Sequence, residues 1–336
     1  MRYLGGKSLL LDHILSVARE YAHSVSTVSD VFAGTGAVSH AFAHNGYAVN
    51  ANDTLYFSYI LNCGMLESVR IPRVKELIEY LNGLSVESAT WFDVNKAFVY
   101  QNYSPHNCCT RMYLQPANSL RIDLIRQEIE RLRPELMPQE YHYLLAALIS
   151  AVSYVSNITG TYGAYLKYWD KRTYNPLLLT LLPIADISVT CRCYNLDALD
   201  FVSATECDLA YLDPPYNGRQ YISNYHLLET IARYDYPEIK GVTGMRVDPE
   251  KSSDYCKRTR VREAFSRLFS ELKCRYIMVS YNNEGLLSSN EMKELLMTVG
   301  KKDTFRLFEY DYNRYKNKIP NNKQGLKEQI YFIEKA

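Results

Sequence analysis

Two short strings carry most of the chemistry available to this chain. The first is Asp213-Pro214-Pro215-Tyr216, which follows the apolar run Leu209-Ala210-Tyr211-Leu212. Consecutive prolines hold φ and end a strand abruptly. They also remove amide donors, so nearby carbonyls become bare acceptors, and Asp213 adds carboxylate oxygens beside them. Tyr216 contributes a ring. The result is an acceptor-rich corner with a stacking face, which suits an exocyclic amine on a nucleobase. Such a nitrogen is a poor nucleophile because its lone pair is delocalised into the ring. Hydrogen bonds from its N–H groups to Asp213 and to the Pro214 carbonyl would favour a more tetrahedral nitrogen, freeing the lone pair to attack a sulfonium methyl in line. A base inside a duplex cannot reach a strand-end corner and would have to flip out of the stack.

The second string is Asp30-Val31-Phe32-Ala33-Gly34-Thr35-Gly36. Glycines between a strand and a helix let the backbone approach a ligand closely. Asp53 stands at the end of the next apolar run, where a carboxylate can accept both hydroxyls of a ribose. These features fit any cofactor that contains a nucleoside. A Walker loop is absent, and Ser39 stands where a dinucleotide fingerprint wants a third glycine or alanine. Asp30 would repel a pyrophosphate but attract an ammonium. The combination favours a cofactor with an amino-acid tail, S-adenosylmethionine, over a nicotinamide dinucleotide. No hydride-handling acid or base is evident near the glycines.

The elements that must hold these strings are legible in the periodicity. Residues 28–33 and 47–52 read as strands, and 37–44 and 55–66 as helices, an opening that predicts a parallel sheet. Helical spacing covers 73–81, 118–132 and 138–155, followed by a Gly- and Tyr-rich loop or hairpin over 158–169. Strand patterns return at 187–194, 208–212 and 276–281, with helices over 262–272 and 290–299. A close late pair of strands, 305–310 and 329–333, predicts an antiparallel hairpin at a sheet edge. The expected architecture is α/β: a doubly wound, mostly parallel sheet with that edge hairpin and an inserted, mainly helical subdomain. Residues 1–66 and 186–336 would form the cofactor-binding catalytic domain, and 67–185 the inserted target-recognition subdomain.

Composition sets limits on this reading. The chain has 336 residues, enough for a large core without staples. With 38 Lys+Arg against 37 Asp+Glu it is not a histone-like or polybasic protein. Local patches still suit nucleic acid. Residues 251–262 carry Lys257, Arg258 and Arg260 among five cations against one acid, and 314–327 carry Lys316 and Lys318 with no acid at all. Such clusters can neutralise phosphates. The loop 157–175 interleaves Tyr162, Tyr165, Tyr168 and Trp169 with Lys167, Lys171 and Arg172, a mixture fit for phosphates and base edges. Arg219 and Tyr221 follow the proline corner closely enough to cover or contact its occupant. The eight cysteines form no C-x-x-C pair and read as reduced thiols; no metal site is expected, including around His106-Asn107-Cys108-Cys109. Neither a membrane-spanning run nor an apolar leader core is expected.

In four places, in order, the sequence resembles the Dam-like class of adenine-N6 DNA methyltransferases, in its restriction-associated modification branch. Arg2-Tyr3-Leu4-Gly5-Gly6-Lys7 is similar to the class's N-terminal cofactor motif, with tyrosine where many members have tryptophan. Asp30 to Gly36 is similar to the loop on the methionine side, Asn52-Asp53 to the ribose motif, and Asp213-Pro214-Pro215-Tyr216 to the catalytic motif. The resemblance implies that Tyr3 and Lys7 contact S-adenosylmethionine, with Phe32 beside its methionine moiety, Asp53 on its ribose and Asp197 near its adenine. Asp213 would touch both the target amine and the cofactor. It further implies double-stranded DNA as substrate, a bacterial or phage-encoded cytoplasmic enzyme, and a setting alongside a restriction endonuclease or alone. The rival readings are an amino methyltransferase acting on RNA or cytosine-N4, and an inactive nucleic-acid-binding module.

Overall fold

The computed structural model describes residues 6–67, 71–182, 188–247, 252–311 and 327–336. Helix α1 (Leu11–Tyr21) leads into β1 (Thr27–Asp30), and the glycines turn the chain into α2 (Ala37–His44), β2 (Ala48–Asn52) and α3 (Tyr56–Leu66). Four helices follow: α4 (Ile71–Gly83), α5 (Phe98–Tyr103), α6 (Pro116–Leu132) and α7 (Pro138–Val155). Next come β3 (Cys191–Tyr194), α8 (Ala198–Ala204), β4 (Cys207–Leu212) and α9 (Tyr221–Arg233). A small hairpin, β5 (Ile239–Lys240) and β6 (Met245–Arg246), precedes α10 (Val261–Glu271), β7 (Cys274–Asn282) and α11 (Ser289–Val299). The chain ends in β8 (Arg306–Asp311) and β9 (Lys327–Glu334).

The main sheet has seven strands in the order β3-β2-β1-β4-β7-β9-β8. The pairs among β1, β2, β3, β4 and β7 are parallel. β9 runs antiparallel to both β7 and β8, which is the edge hairpin expected from the sequence. Both faces are covered, and the strands show it by alternation. Ala210 and Leu212 of β4, with Ile277 and Val279 of β7, share a core with α8, α10 and α11. Their neighbours Leu209, Tyr211 and Met278 face α1 and α2 instead. Successive side chains of a strand point to opposite faces, so doubly buried strands carry apolar residues at nearly every position.

A third core binds the helices between β2 and β3 to one another, and it also takes in Phe57 and Ile60 of α3 and Leu227, Leu228 and Ile231 of α9. Helix α9 lies in a stretch that the sequence presents as polar and basic. Its buried Asn224, His226, Glu229 and Thr230 disguise its amphipathic face, and Tyr225 (φ −128°, ψ 18°) kinks it.

Where the winding reverses, β1 and β4 lie side by side. Asp30 pairs in register with Tyr211, and the Val31 amide donates to the Tyr211 carbonyl at 3.0 Å. At the other end of the pair, Asp208 Oδ2 accepts from the Ser26 and Thr27 amides at 2.8 Å and from both hydroxyls at 2.9 Å. Crevices beyond the carboxyl ends of such neighbouring strands are where doubly wound folds bind ligands.

Gly36 makes the turn from β1 into α2 possible. It adopts φ +81°, and a Cβ there would sit 2.7 Å from Asn62 Oδ1 and from Met65 Cε. Asn62 cannot readily move aside, because its amide donates to the Gly34 and Ser58 carbonyls at 3.1 and 2.8 Å. Gly36→Ala should therefore cost more than the roughly 1–2 kcal/mol of left-handed strain alone, a loss of several degrees in melting temperature. An unchanged melting temperature would show that the turn does not depend on glycine.

Candidate active site

The glycine loop and the proline corner open into one cleft. On the β1 side, Asp30 is 1% exposed and accepts from Ser39 Oγ at 2.6 Å through Oδ2. Its Oδ1 is buried at the cleft wall with no hydrogen-bond partner among the described residues. Burial pushes this carboxyl up to about 7 against the pull of Ser39, and repulsion from Asp213 and Asp53 adds to the rise. Asp53 is pinned differently: Oδ2 accepts from the Gly34 amide and Oδ1 from the Leu55 amide, each at 2.9 Å. Its carboxylate is thereby fixed beside the glycine loop, facing the cleft. Asp197 caps α8 through the Leu199 amide at 2.9 Å and also lines the cleft, at its exposed rim.

On the β4 side, Lys7 Nζ lies 2.8 Å from Asp213 Oδ1 and 3.8 Å from Glu328 Oε2. Burial opposes the ammonium, but Asp213 and Glu328 outweigh it and hold Lys7 well above its usual range. Burial pushes Asp213 up, and Lys7 restrains the rise. The Asp213 side chain keeps 19% exposure and Lys7 3%, and both line the cleft. Pro215 and Tyr221 line the cleft; Gly36, Pro214 and Tyr216 do not. Tyr216 is 6% exposed and packed in the core, whereas the nearby Tyr221 lines the cleft.

Some wall residues escaped the sequence reading. Tyr255 stands edge-on to Phe32, with ring centroids 5.1 Å apart, and both line the cleft. Gln220 ties the 252–256 segment to the proline corner by exchanging hydrogen bonds with the Ser253 backbone at 2.9 and 3.1 Å. Both arise from long-range packing, and local spacing gives no signal for either.

The expected DNA contacts are unevenly placed. Tyr162 is buried, its hydroxyl bonded to Ser156 Oγ at 3.0 Å; it is a core residue and not the DNA contact expected of it. Lys167 is exposed, as are Tyr168 and Tyr174 of the same loop. Arg219, Arg258 and Arg260 are exposed, and Lys257 half-buried. Lys257 and Arg260 both reach Asp254, at 2.9 and 3.5 Å, and Arg258 donates to the Leu286 carbonyl. Tyr3, Lys316 and Lys318 lie outside the described residues. His226 is buried against the Tyr162 carbonyl at 2.8 Å, and burial lowers it to about 4, which keeps its ring neutral. Cys193 and Cys207 are half-buried in their strands, and all eight cysteines are free thiols.

Over residues 3–295 the sequence matches the family described as D12 class N6 adenine-specific DNA methyltransferase, and the chain belongs to that family. It is 43% identical to the Type II methyltransferase M.FokI of Planomicrobium okeanokoites, across all of this chain and 53% of that protein. It is 34% identical to the Modification methylase StsI of Streptococcus sanguinis, across all of this chain and 52% of that one. Its identity to the Type II methyltransferase M.NlaIII of Neisseria lactamica is also 34%, over 100% of both chains. The chain thus spans about half the length of the first two relatives and the whole of the third. Among the described residues, no helix is long and apolar enough to cross a membrane.

The raised Asp30 carboxyl has a consequence for stability. An unfolded aspartate titrates near 3.9, and folded Asp30 near 7. Between those values the folded chain binds the extra proton, so stability is greatest below the window and falls as pH rises through it, by up to about 1.4 kcal/mol per pH unit. Asp30→Asn should remove that slope, so denaturant midpoints of parent and variant should separate in the variant's favour as pH rises. Parallel curves would mean that Asp30 folds as a carboxylate.

Proposed function

We propose that this chain is a site-specific DNA methyltransferase that transfers a methyl group from S-adenosylmethionine to the exocyclic N6 of a flipped adenine. The observation that carries this reading is the opening of the proline corner and the glycine loop into one cleft at the β1–β4 junction. The residues fit the methyl donor. Asp30 Oδ1 is a buried, unpartnered acceptor suited to an ammonium. Asp53 is suited to ribose hydroxyls, Phe32 and Tyr255 offer apolar faces, and Asp197 lies at the rim for an adenine amine.

When bound, the donor supplies an electrophilic methyl on a charged sulfur. The chain supplies positioning and electrostatics. Asp213, fixed by Lys7 and left partly open to the cleft, accepts one N–H of the target amine. Tyr221 walls the space the base enters. This arrangement pulls the amine towards tetrahedral geometry and aims its lone pair. The methylated nitrogen then sheds its proton without a dedicated base, in keeping with a neutral, buried His226. Lys167, Arg219, Lys257, Arg258, Arg260, Lys316 and Lys318 are the proposed phosphate contacts, supplying the salt-dependent part of DNA affinity. We place the enzyme in the cytoplasm of a bacterium or a phage-infected cell, modifying DNA with a partner endonuclease or alone.

Asp213→Asn should lower methyl transfer by at least about 100-fold, while donor affinity stays within a few-fold of the parent by calorimetry. Full retained activity would remove Asp213 from the reaction. Loss of donor affinity in equal measure would make it a donor-binding group instead.

A further inference from the structure

A second cluster of chemically capable side chains lies outside the cleft, where α3, α7 and β3 meet. Cys63 and Glu67 lie four residues apart in and just after α3, so they share a face. His142 comes from the second turn of α7. Its Nδ1 lies 2.8 Å from Glu67 Oε2. One ligand atom each from Cys63, Glu67 and His142 lies within 4.8 Å of the others. Cys63 also interacts directly with the side chains of Cys193, on β3, and His142. Gly64 brings these elements together, since a Cβ there would sit 2.5 Å from the Ala146 Cβ. That glycine lets α3 approach α7 closely beside Cys63.

The donor set is two sulfurs, one imidazole nitrogen and one carboxylate oxygen. Zinc binds these atoms at about 2.0–2.3 Å in a tetrahedron, which spaces the ligands roughly 3.3–3.8 Å apart. Cys63, Glu67 and His142 already bring their ligand atoms within 4.8 Å of one another; Cys193, which touches Cys63 but lies outside that group, has to turn its thiol inward to complete the tetrahedron. Cys63 is fully buried, whereas the His142 and Glu67 side chains keep 17% and 22% exposure, so an ion has an approach from solvent. We propose that Cys63, Cys193, His142 and Glu67 form a structural zinc site that ties α3, α7 and β3 together. Binding forms two Zn–S bonds, one Zn–N and one Zn–O, and releases the two thiol protons and the proton shared by His142 and Glu67 to solvent. The inference stands apart from the methyl-transfer reading.

The full chain, stripped with chelator, should take up about one zinc per molecule in competition with a chromophoric chelator, and its melting temperature should rise. Cobalt(II) in its place should give the thiolate charge-transfer and intense visible bands of a tetrahedral sulfur site. Cys63→Ser and His142→Gln should each weaken zinc binding by at least about 100-fold, the upper end of what losing even an outer-shell partner costs. Cys191→Ser, on the same strand but outside the cluster, should not weaken it. Because Cys63 is fully buried, His142→Gln decides the matter if Cys63→Ser fails to fold. No zinc uptake by the parent chain, or undiminished uptake by folded His142→Gln, would overturn the proposal.

Discussion

Asp30 and Asp213 follow neighbouring parallel strands to their carboxyl ends, and the burial of two like charges there constrains everything around them. Two carboxylates so placed resist ionising together. The fold treats them differently. Asp30 is buried with one hydroxyl donor and drifts towards neutrality, near 7. Asp213 receives a buried ammonium at 2.8 Å and keeps part of its surface open. One acid is thereby left ready for a cation, and the other is held as an acceptor of N–H. Both groups line a single cleft, and the proposed transfer of a charged methyl onto an amine calls on each of them.

Polar side chains brace this junction from several directions. Asn52 donates to the Val31 and Leu196 carbonyls at 3.2 Å and accepts from the Leu196 amide at 3.0 Å, joining the glycine loop to the turn before α8. Buried Glu229, on the helix that follows the proline corner, accepts from the Tyr56 and Phe57 amides at 3.1 and 3.0 Å. It satisfies orphan donors at the start of α3, the helix that follows Asp53. The Asp53 side and the Asp213 side of the cleft are thus linked through one carboxylate, itself paired to Arg233 at 2.6 Å.

What the sequence reveals follows from how local each signal is. The strand-to-glycine turn, the proline stop after β4 and the doubly buried strands are written in adjacent residues, and they place Asp30, Asp53 and Asp213 without further help. The partners of those residues come from far away. Glu328 joins Lys7 from the last strand, and Tyr255 meets Phe32 across the cleft. Helix α9 hides because its buried face carries polar groups, among them Glu229, bonded to the start of α3, and His226, bonded to the Tyr162 carbonyl. Tyr162 misleads for the opposite reason: a loop rich in tyrosine and lysine looks exposed throughout, yet this ring turns inward to Ser156 and Tyr113. The thiols of Cys63 and Cys193 show no motif spacing, because a helix and a strand distant in sequence bring them together.

The most direct test of the account follows the transferred carbon itself. Duplex DNA incubated with the full chain and methyl-labelled S-adenosylmethionine, then digested to nucleosides, should carry its label on N6-methyladenine at a defined sequence. Label on cytosine, on RNA supplied in competition, or on no nucleoside at all would contradict it.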